Sequence, residues 1–90
     1  MKDVLVTTAH RGVFFGTLEK GQTGDETKTM ALINCRNAIR WTGKKGFLGL
    51  ASDGPESGSR IGSTAPRVIL HDITSVSECS QEAVKAWRAA

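Results

Sequence analysis

Residues 13–41 read VFFGTLEKGQTGDETKTMALINCRNAIRW and contain two strand-like segments joined by a polar stretch. In residues 13–18, alternating side chains indicate a strand with two different faces. Gly16 interrupts this strand, and a glycine there predicts a bulge, a sharp bend or the close approach of another backbone. Residues 30–41 form the longest predicted strand, which ends in basic and aromatic residues. The flanking segments then pair as shorter strands with the edges of these two.

The long strand has two different faces if no bulge intervenes. One face is mostly apolar and carries Ile33, Cys35, Asn37, Ile39 and Trp41. The other becomes basic toward its end and carries Leu32, Asn34, Arg36, Ala38 and Arg40.

Short strands and turns account for most of the remaining chain. In order, we predict a strand at 3–9, a turn at 10–12, an exposed hairpin loop at 19–28, a turn at 42–46, a short apolar strand at 47–51, a long loop rich in glycine and serine at 52–66, and a last strand at 67–76 that bends near Asp72.

A helix is predicted near the end of the sequence, at about residues 81–88. Ser80 is a suitable N-cap, and Glu82 places a carboxylate in the first turn, where the helix dipole favours it. Trp87 shares a helical face with apolar neighbours and is expected to anchor the helix on the sheet or on a neighbouring subunit.

These elements predict one domain over residues 1–90: a mainly β fold, a small bent five-stranded barrel or sandwich with one C-terminal α-helix. A chain of 90 residues buries only roughly 60–65% of its unfolded surface, so subunit contacts often add stability. We therefore expect a homo-oligomer.

The charge distribution is more informative than the net charge of +3. Residues 27–52 contain five basic residues and no acidic one. Guanidinium and ammonium groups neutralise phosphates, and an indole ring can stack on a base. The predicted site for phosphate or nucleotide comprises Arg36, Arg40, Trp41, Lys44 and Lys45, with Arg60, His10 and Arg11 as further contacts. Two simpler interpretations stay open, a solvated basic surface and a core or interface role for Trp41.

The glycine-rich segment 54–62 has two interpretations. Its backbone N–H groups and Arg60 suit an anion. Alternatively, the segment wraps a sheet edge or reaches a neighbouring subunit.

Catalytic and metal-binding patterns are not found in the sequence. The two histidines and two cysteines lack zinc-site spacing, and no nucleophile elbow or phosphate-binding loop motif occurs. We predict no catalytic residues, no metal and no cofactor. Cys35 and Cys79 are expected to be reduced thiols. No apolar run approaches the ~18 residues of a membrane span, so no membrane association is expected.

The segment VLVTTAHRGVFFGTLEKG, followed by MALINCRNA, resembles the first motif of Sm-like small β-barrels. Gly16 and Leu18 match the G-x-L of that motif, and residues 32–35 fall near its end. The resemblance implies assembly into a ring. The Sm-like N-terminal helix is missing, and residues 27–30 replace the uridine-contacting Asp and Asn, so RNA recognition does not carry over residue by residue.

The pieces AHRGVFFGTL, NAIRW, GFLGLASDGP, SRIG and DITSVSECSQEAVKAW resemble a family of small uncharacterised proteins of about 90 residues, encoded by tailed bacteriophages and prophages. This resemblance extends from Val6 to Trp87. It implies a phage accessory protein in the host cytoplasm and brings no known activity.

The leading functional hypothesis is a non-enzymatic, homo-oligomeric ring that captures nucleic acid or a nucleotide-like anion through its basic face. The alternative is a phage inhibitor or adaptor that docks on a host protein through Trp41 or Trp87. A virion subunit comes third and an enzyme fourth.

Overall fold

The computed structural model describes residues 2–9, 12–41 and 46–90. Its elements, in chain order, are β1 (Asp3–Thr8), β2 (Val13–Leu18), β3 (Thr29–Arg40), α1 (Gly49–Ser52), β4 (Arg60–Ile61), β5 (Ala65–His71), β6 (Ile73–Glu78) and α2 (Gln81–Ala89). The six described strands form one antiparallel sheet. The predicted mainly β class with a C-terminal helix is confirmed.

Strand β3 organises the sheet because it pairs along both of its edges. One edge pairs with β2, and the other pairs with β5 over its first half and with β4 at its end. Beyond β2, the order continues through β1 to β6. The sheet has six described strands rather than the five predicted. Residues 47–51 form no strand, but Arg60–Ile61 adds β4, and the last predicted strand is divided at Asp72 into β5 and β6.

The last two strands are one bent segment, and this bend curls the sheet. Only Asp72 separates β5 from β6, and it has a left-handed φ of 55°. Its N–H donates to the Lys28 carbonyl at 2.8 Å, and its carbonyl accepts from the Ala9 N–H at 3.0 Å. The bend predicted near Asp72 is confirmed. It brings the two ends of the sheet together, although no strand ladder in the described residues closes the sheet into a barrel.

Gly16 lies opposite a bulge in β3. Thr17 pairs with Ile33 and Phe15 with Arg36, so two residues of β3 oppose the single Gly16. Asn34, the first of these two, has a φ of 51°. A Cβ atom on Gly16 would lie 3.0 Å from the Leu32 Cβ and 3.3 Å from the Cys35 Cα. Of the three alternatives predicted for Gly16, the close approach of another backbone is confirmed. The bulge belongs to the partner strand β3 and not to β2, which carries the glycine.

The bulge changes the face assignment of β3 because it reverses the alternation after Asn34. Leu32 and Cys35, predicted on opposite faces, are buried in the same apolar cluster. The predicted assignment of β3 side chains to two faces, which assumed no bulge, is therefore wrong after Asn34. This cluster lies on the face inside the curl of the sheet, and its buried members are Val4, Val6, Leu18, Met30, Leu32, Cys35 and Leu70.

The two helices cover the other face of the sheet. The buried members of this second cluster are Leu5, Phe15, Leu50, Ala51, Ala83 and Trp87. Ser80 is the N-cap of α2, as predicted, and its Oγ accepts from the Ala83 N–H at 3.0 Å.

The strand predicted at residues 47–51 is wrong. Residues 49–52 form the single-turn helix α1, which follows a turn at Phe47 and Leu48. A short apolar run fits a buried strand or a buried helical turn equally well. Here the helical turn buries Leu50 and Ala51 in the cluster beneath α2.

Candidate functional site

Arg40 and Arg60 lie directly opposite each other where β4 pairs with the end of β3. Ala38 pairs with Ile61 and Arg40 with Arg60, so β3 advances two residues while β4 advances one. The extra residue is Ile39, whose side chain is 55% exposed. This second bulge in β3, at Ile39, places Arg40 rather than Ile39 opposite Arg60.

This arginine pair has no neutralising partner in the described residues. Both residues are exposed, and neither takes part in a side-chain hydrogen bond or ion pair there. Like charges directly opposite each other across antiparallel strands are destabilising. Arginine forks are also well matched to phosphate oxygens. The pair is therefore suited to bind an anion.

Arg36, the third predicted arginine, is engaged within the fold. Its Nε donates to the Gly62 carbonyl at 2.9 Å, and its Nη1 donates to the Trp87 carbonyl at 2.7 Å and to the backbone oxygen of Ala90. These contacts satisfy carbonyls at the end of α2 and place positive charge where the helix dipole favours it. Arg36 thus differs from Arg40 and Arg60, because its guanidinium is already bound by backbone carbonyls of the fold.

Replacing Arg36 with alanine is expected to lower the free energy of unfolding by about 1.5–3 kcal/mol, the range for hydrogen bonds to a charged group. Urea denaturation of Arg36→Ala and of Arg36→Lys provides the measurement. Lysine keeps the charge but cannot form the same fork, so its expected loss is intermediate. Two variants with the stability of the wild type would contradict this role.

The two tryptophans lie at different depths in the second cluster. Trp41 is half-buried and packs against its edge, which favours the core role among the interpretations of this residue. Trp87 is fully buried, with an exposed fraction of 0%. Trp87 therefore anchors α2 on the sheet, which is the first of the two roles considered for it. A side chain without exposed surface is not available as a partner anchor, which corrects that part of the prediction.

Four predicted site residues, His10, Arg11, Lys44 and Lys45, lie outside the described residues. Their described neighbours in sequence include Gly12, just before β2, and Trp41, just after β3. Phe14, near the start of β2, pairs with Asn37 in the second half of β3, and Trp41 follows Arg40 directly.

The structure adds one feature that the sequence does not reveal, the pairing of β4. Arg60 was predicted as part of a separate glycine-rich loop, whereas β4 brings it against Arg40. In the sequence, Arg60 and Ile61 lie between Ser59 and Gly62, and two residues are too few to identify as a strand.

The cysteine thiols are free, and their surroundings suppress ionisation. Burial raises the pKa of Cys35 from 9.0 to about 11. Burial and then the nearby Asp3 carboxylate raise the pKa of Cys79 from 9.0 to about 12. The thiolate is the reactive form of cysteine, so neither thiol is poised as a nucleophile at neutral pH.

Alkylation near neutral pH is expected to be slower in the native protein than in urea, by about a hundredfold at Cys35 and more at Cys79, because each unit by which the pKa rises lowers the thiolate fraction about tenfold. Stability is also expected to decrease as the pH rises above about 9, where the unfolded thiols ionise and the folded ones stay protonated. Mass spectrometry after iodoacetamide treatment measures the rates. Equal rates in the two states would contradict the buried environment.

Neither a metal-binding cluster nor a membrane-spanning helix occurs in the described parts of the chain. In residues 2–9, 12–41 and 46–90, no three or more His, Cys, Asp and Glu side chains are grouped to hold a metal ion. Across the same ranges, no helix has the length and hydrophobicity to cross a bilayer.

Fold and surface together define a class: a small β-rich domain with a curled sheet, a covering helix and, at one sheet end, an exposed arginine pair that no described side chain neutralises. The chain belongs to the family described as Domain of unknown function (DUF6948), whose model matches residues 1–87. No curated protein and no solved structure matches the chain.

Proposed function

We propose that this protein is a non-enzymatic binding protein that captures a phosphate-bearing ligand, a nucleic acid or a nucleotide-like anion, at the Arg40–Arg60 pair. The observation that carries the proposal is the cross-strand pairing of two exposed arginines. An anion bound between them would replace repulsion with two charge-assisted contacts.

The sequence around Arg40 supports the same ligand class. Residues 27–52 contain no acidic side chain, and Lys44 and Lys45 follow Arg40 closely in sequence. Because Arg36 is held by backbone carbonyls, Arg40 and Arg60 are the described arginines of the predicted set that remain for a ligand.

The wider biological setting is part of this proposal. The Sm-like resemblance supports a homo-oligomeric ring, and the resemblance to phage-encoded proteins supports action in the host cytoplasm. A ring would repeat the arginine pair around its axis. Each subunit would then contribute to binding one extended nucleic acid.

The test is fluorescence anisotropy with a labelled single-stranded oligonucleotide at several salt concentrations. Replacing Arg60 with glutamine is expected to weaken binding about tenfold, since it removes one charge-assisted hydrogen bond. The slope of log K against log salt is expected to become shallower by about 0.7 for each phosphate of the bound strand that the variant no longer neutralises.

Lys28→Gln is the matched control because it removes the same charge at the opposite end of β3, where Lys28 precedes Thr29. It is expected to leave affinity nearly unchanged. If Arg60→Gln and Lys28→Gln weaken binding equally, only net charge matters and the proposed site is wrong.

Docking on a host protein is the second candidate, and exposed apolar side chains support it. Ile39, Phe47 and Leu48 are 55%, 37% and 58% exposed. Ile39 directly precedes Arg40, so at least one of these exposed apolar side chains adjoins the arginine pair. Protein docking of this kind would tolerate salt, whereas phosphate binding decreases steeply as salt rises.

A further inference from the structure

A pocket of about 500 Å³ lies between the segment 55–61 and the last turn of α2. This volume is in the range of small-molecule sites. Its lining combines small apolar side chains with polar groups. The apolar part includes Ile61, Ala86 and Ala89, and the polar part includes Glu56, Ser57 and Arg60.

The pocket exists because α2 carries only small side chains on this face. Ala86 and Ala89 are three residues apart and therefore share one face of the helix. Just before the pocket, the chain touches the helix at Gly54, where an added Cβ would collide with the Ala86 Cβ and lie 3.1 Å from the Ala83 carbonyl oxygen. With a φ of 84° as well, this position requires glycine.

The far end of the segment is fixed to β3. The Gly62 N–H donates to the Asn37 carbonyl at 2.8 Å, and the Gly62 carbonyl accepts from the Arg36 Nε at 2.9 Å. The segment is thus held on both sides of the opening, and the pocket is a defined feature of the fold.

Arg60 belongs both to this pocket and to the arginine pair. We infer that the site takes a nucleoside monophosphate, with its phosphate at Arg40 and Arg60 and its base in the pocket. This inference rests on the proposed phosphate-binding function and specifies its ligand. A ligand anchored at Arg60 can extend along the lining to the alanine face of α2.

The pocket lining is suited to a base more than to a second phosphate. Ile61, Ala86 and Ala89 provide apolar surface on which a flat ring can be buried. The Glu56 carboxylate is an acceptor only, so it can bind the N–H groups of a base, and its charge repels phosphate. This arrangement fixes the direction in which the ligand lies.

Isothermal titration calorimetry can isolate the contribution of the base by comparing guanosine monophosphate with ribose 5-phosphate. We expect the nucleotide to bind the wild-type protein about tenfold more tightly, because only the nucleotide buries a base in the pocket. Ala89→Leu fills the pocket with a good helix former and is expected to abolish that difference while ribose 5-phosphate still binds. Lys85→Leu, one turn earlier on α2 and outside this pocket, is the control and is expected to preserve it.

Equal affinity of the wild-type protein for both ligands, or an Ala89→Leu variant that keeps the tenfold difference, would overturn the inference. In either case, binding of ribose 5-phosphate that disappears in Arg60→Gln would leave the proposed phosphate-binding function intact. If neither ligand nor the labelled oligonucleotide bound the wild-type protein, the proposed function itself would fail.

Discussion

Replacing Trp87 with alanine is expected to lower the free energy of unfolding by about 3–5 kcal/mol, the range for removing a large aromatic side chain from a core. Small domains have a total stability of only about 5–15 kcal/mol. This single change is therefore expected to remove a large part of the stability of the domain.

The size of the effect follows from the number of elements that Trp87 joins. Its ring stacks on Phe15 of β2 with centroids 5.1 Å apart and planes within 3°. Its Nε1 donates to the Leu50 carbonyl in α1 at 2.9 Å. Truncation would leave a cavity between α2 and the sheet, and a buried carbonyl without its donor.

Urea denaturation followed by far-UV circular dichroism measures this loss, since most of that signal comes from the backbone and remains after the indole is removed. Phe47→Ala is the control because Phe47 is 37% exposed, and its expected loss is below about 1 kcal/mol. Analytical ultracentrifugation should accompany both variants. If Trp87→Ala kept the stability of the wild type, the packing of Trp87 between α2 and the sheet would not be what stabilises the fold.

Sequence periodicity predicted the parts of the fold that local chemistry determines. Alternation identified β1 and β2, the glycine at position 16 identified a close approach of another backbone, and Ser80 identified the start of α2. Each of these signals acts within a few residues of its cause, through side-chain alternation, backbone freedom or capping.

Two features depended on tertiary contacts and escaped the sequence. The first is the bulge at Asn34, which has a left-handed backbone and lies on β3 opposite Gly16. Because the bulge is on β3 and the glycine on β2, the sequence did not show where the two faces of β3 exchange. The apolar residues 47–51 fit a strand as well as a helical turn. Their burial beneath Trp87 selects the helical turn.

The candidate site was predicted as a list of residues without its geometry. Composition identified Arg36 and Arg40 as members of one basic segment, and nothing in the sequence separated them. The structure distinguishes them because Arg36 binds carbonyls at the end of α2 while Arg40 pairs with Arg60. Pairing between β3 and a two-residue strand has no sequence signal of its own.

Replacing Arg40 with glutamate is expected to weaken phosphate-ligand binding by about 10- to 100-fold, because it removes a charge-assisted hydrogen bond and adds a repulsive charge. The same change places a carboxylate directly opposite Arg60. An opposite-charge cross-strand pair contributes roughly 0.2–1 kcal/mol. The variant is therefore expected to be slightly more stable than the wild type while it binds less tightly.

Opposite signs for binding and stability distinguish a ligand site from a structural role, because replacing a structural arginine would reduce both. Anisotropy with the labelled oligonucleotide and urea denaturation give the two values. Lys28→Glu is the control, with the same change of charge at the other end of β3, and screening is expected to keep its effect on binding small at physiological salt. A less stable Arg40→Glu variant would show that the pair does not repel in the free protein. Unchanged binding would place the ligand elsewhere. Either result would remove the reason for regarding the paired arginines as an anion site.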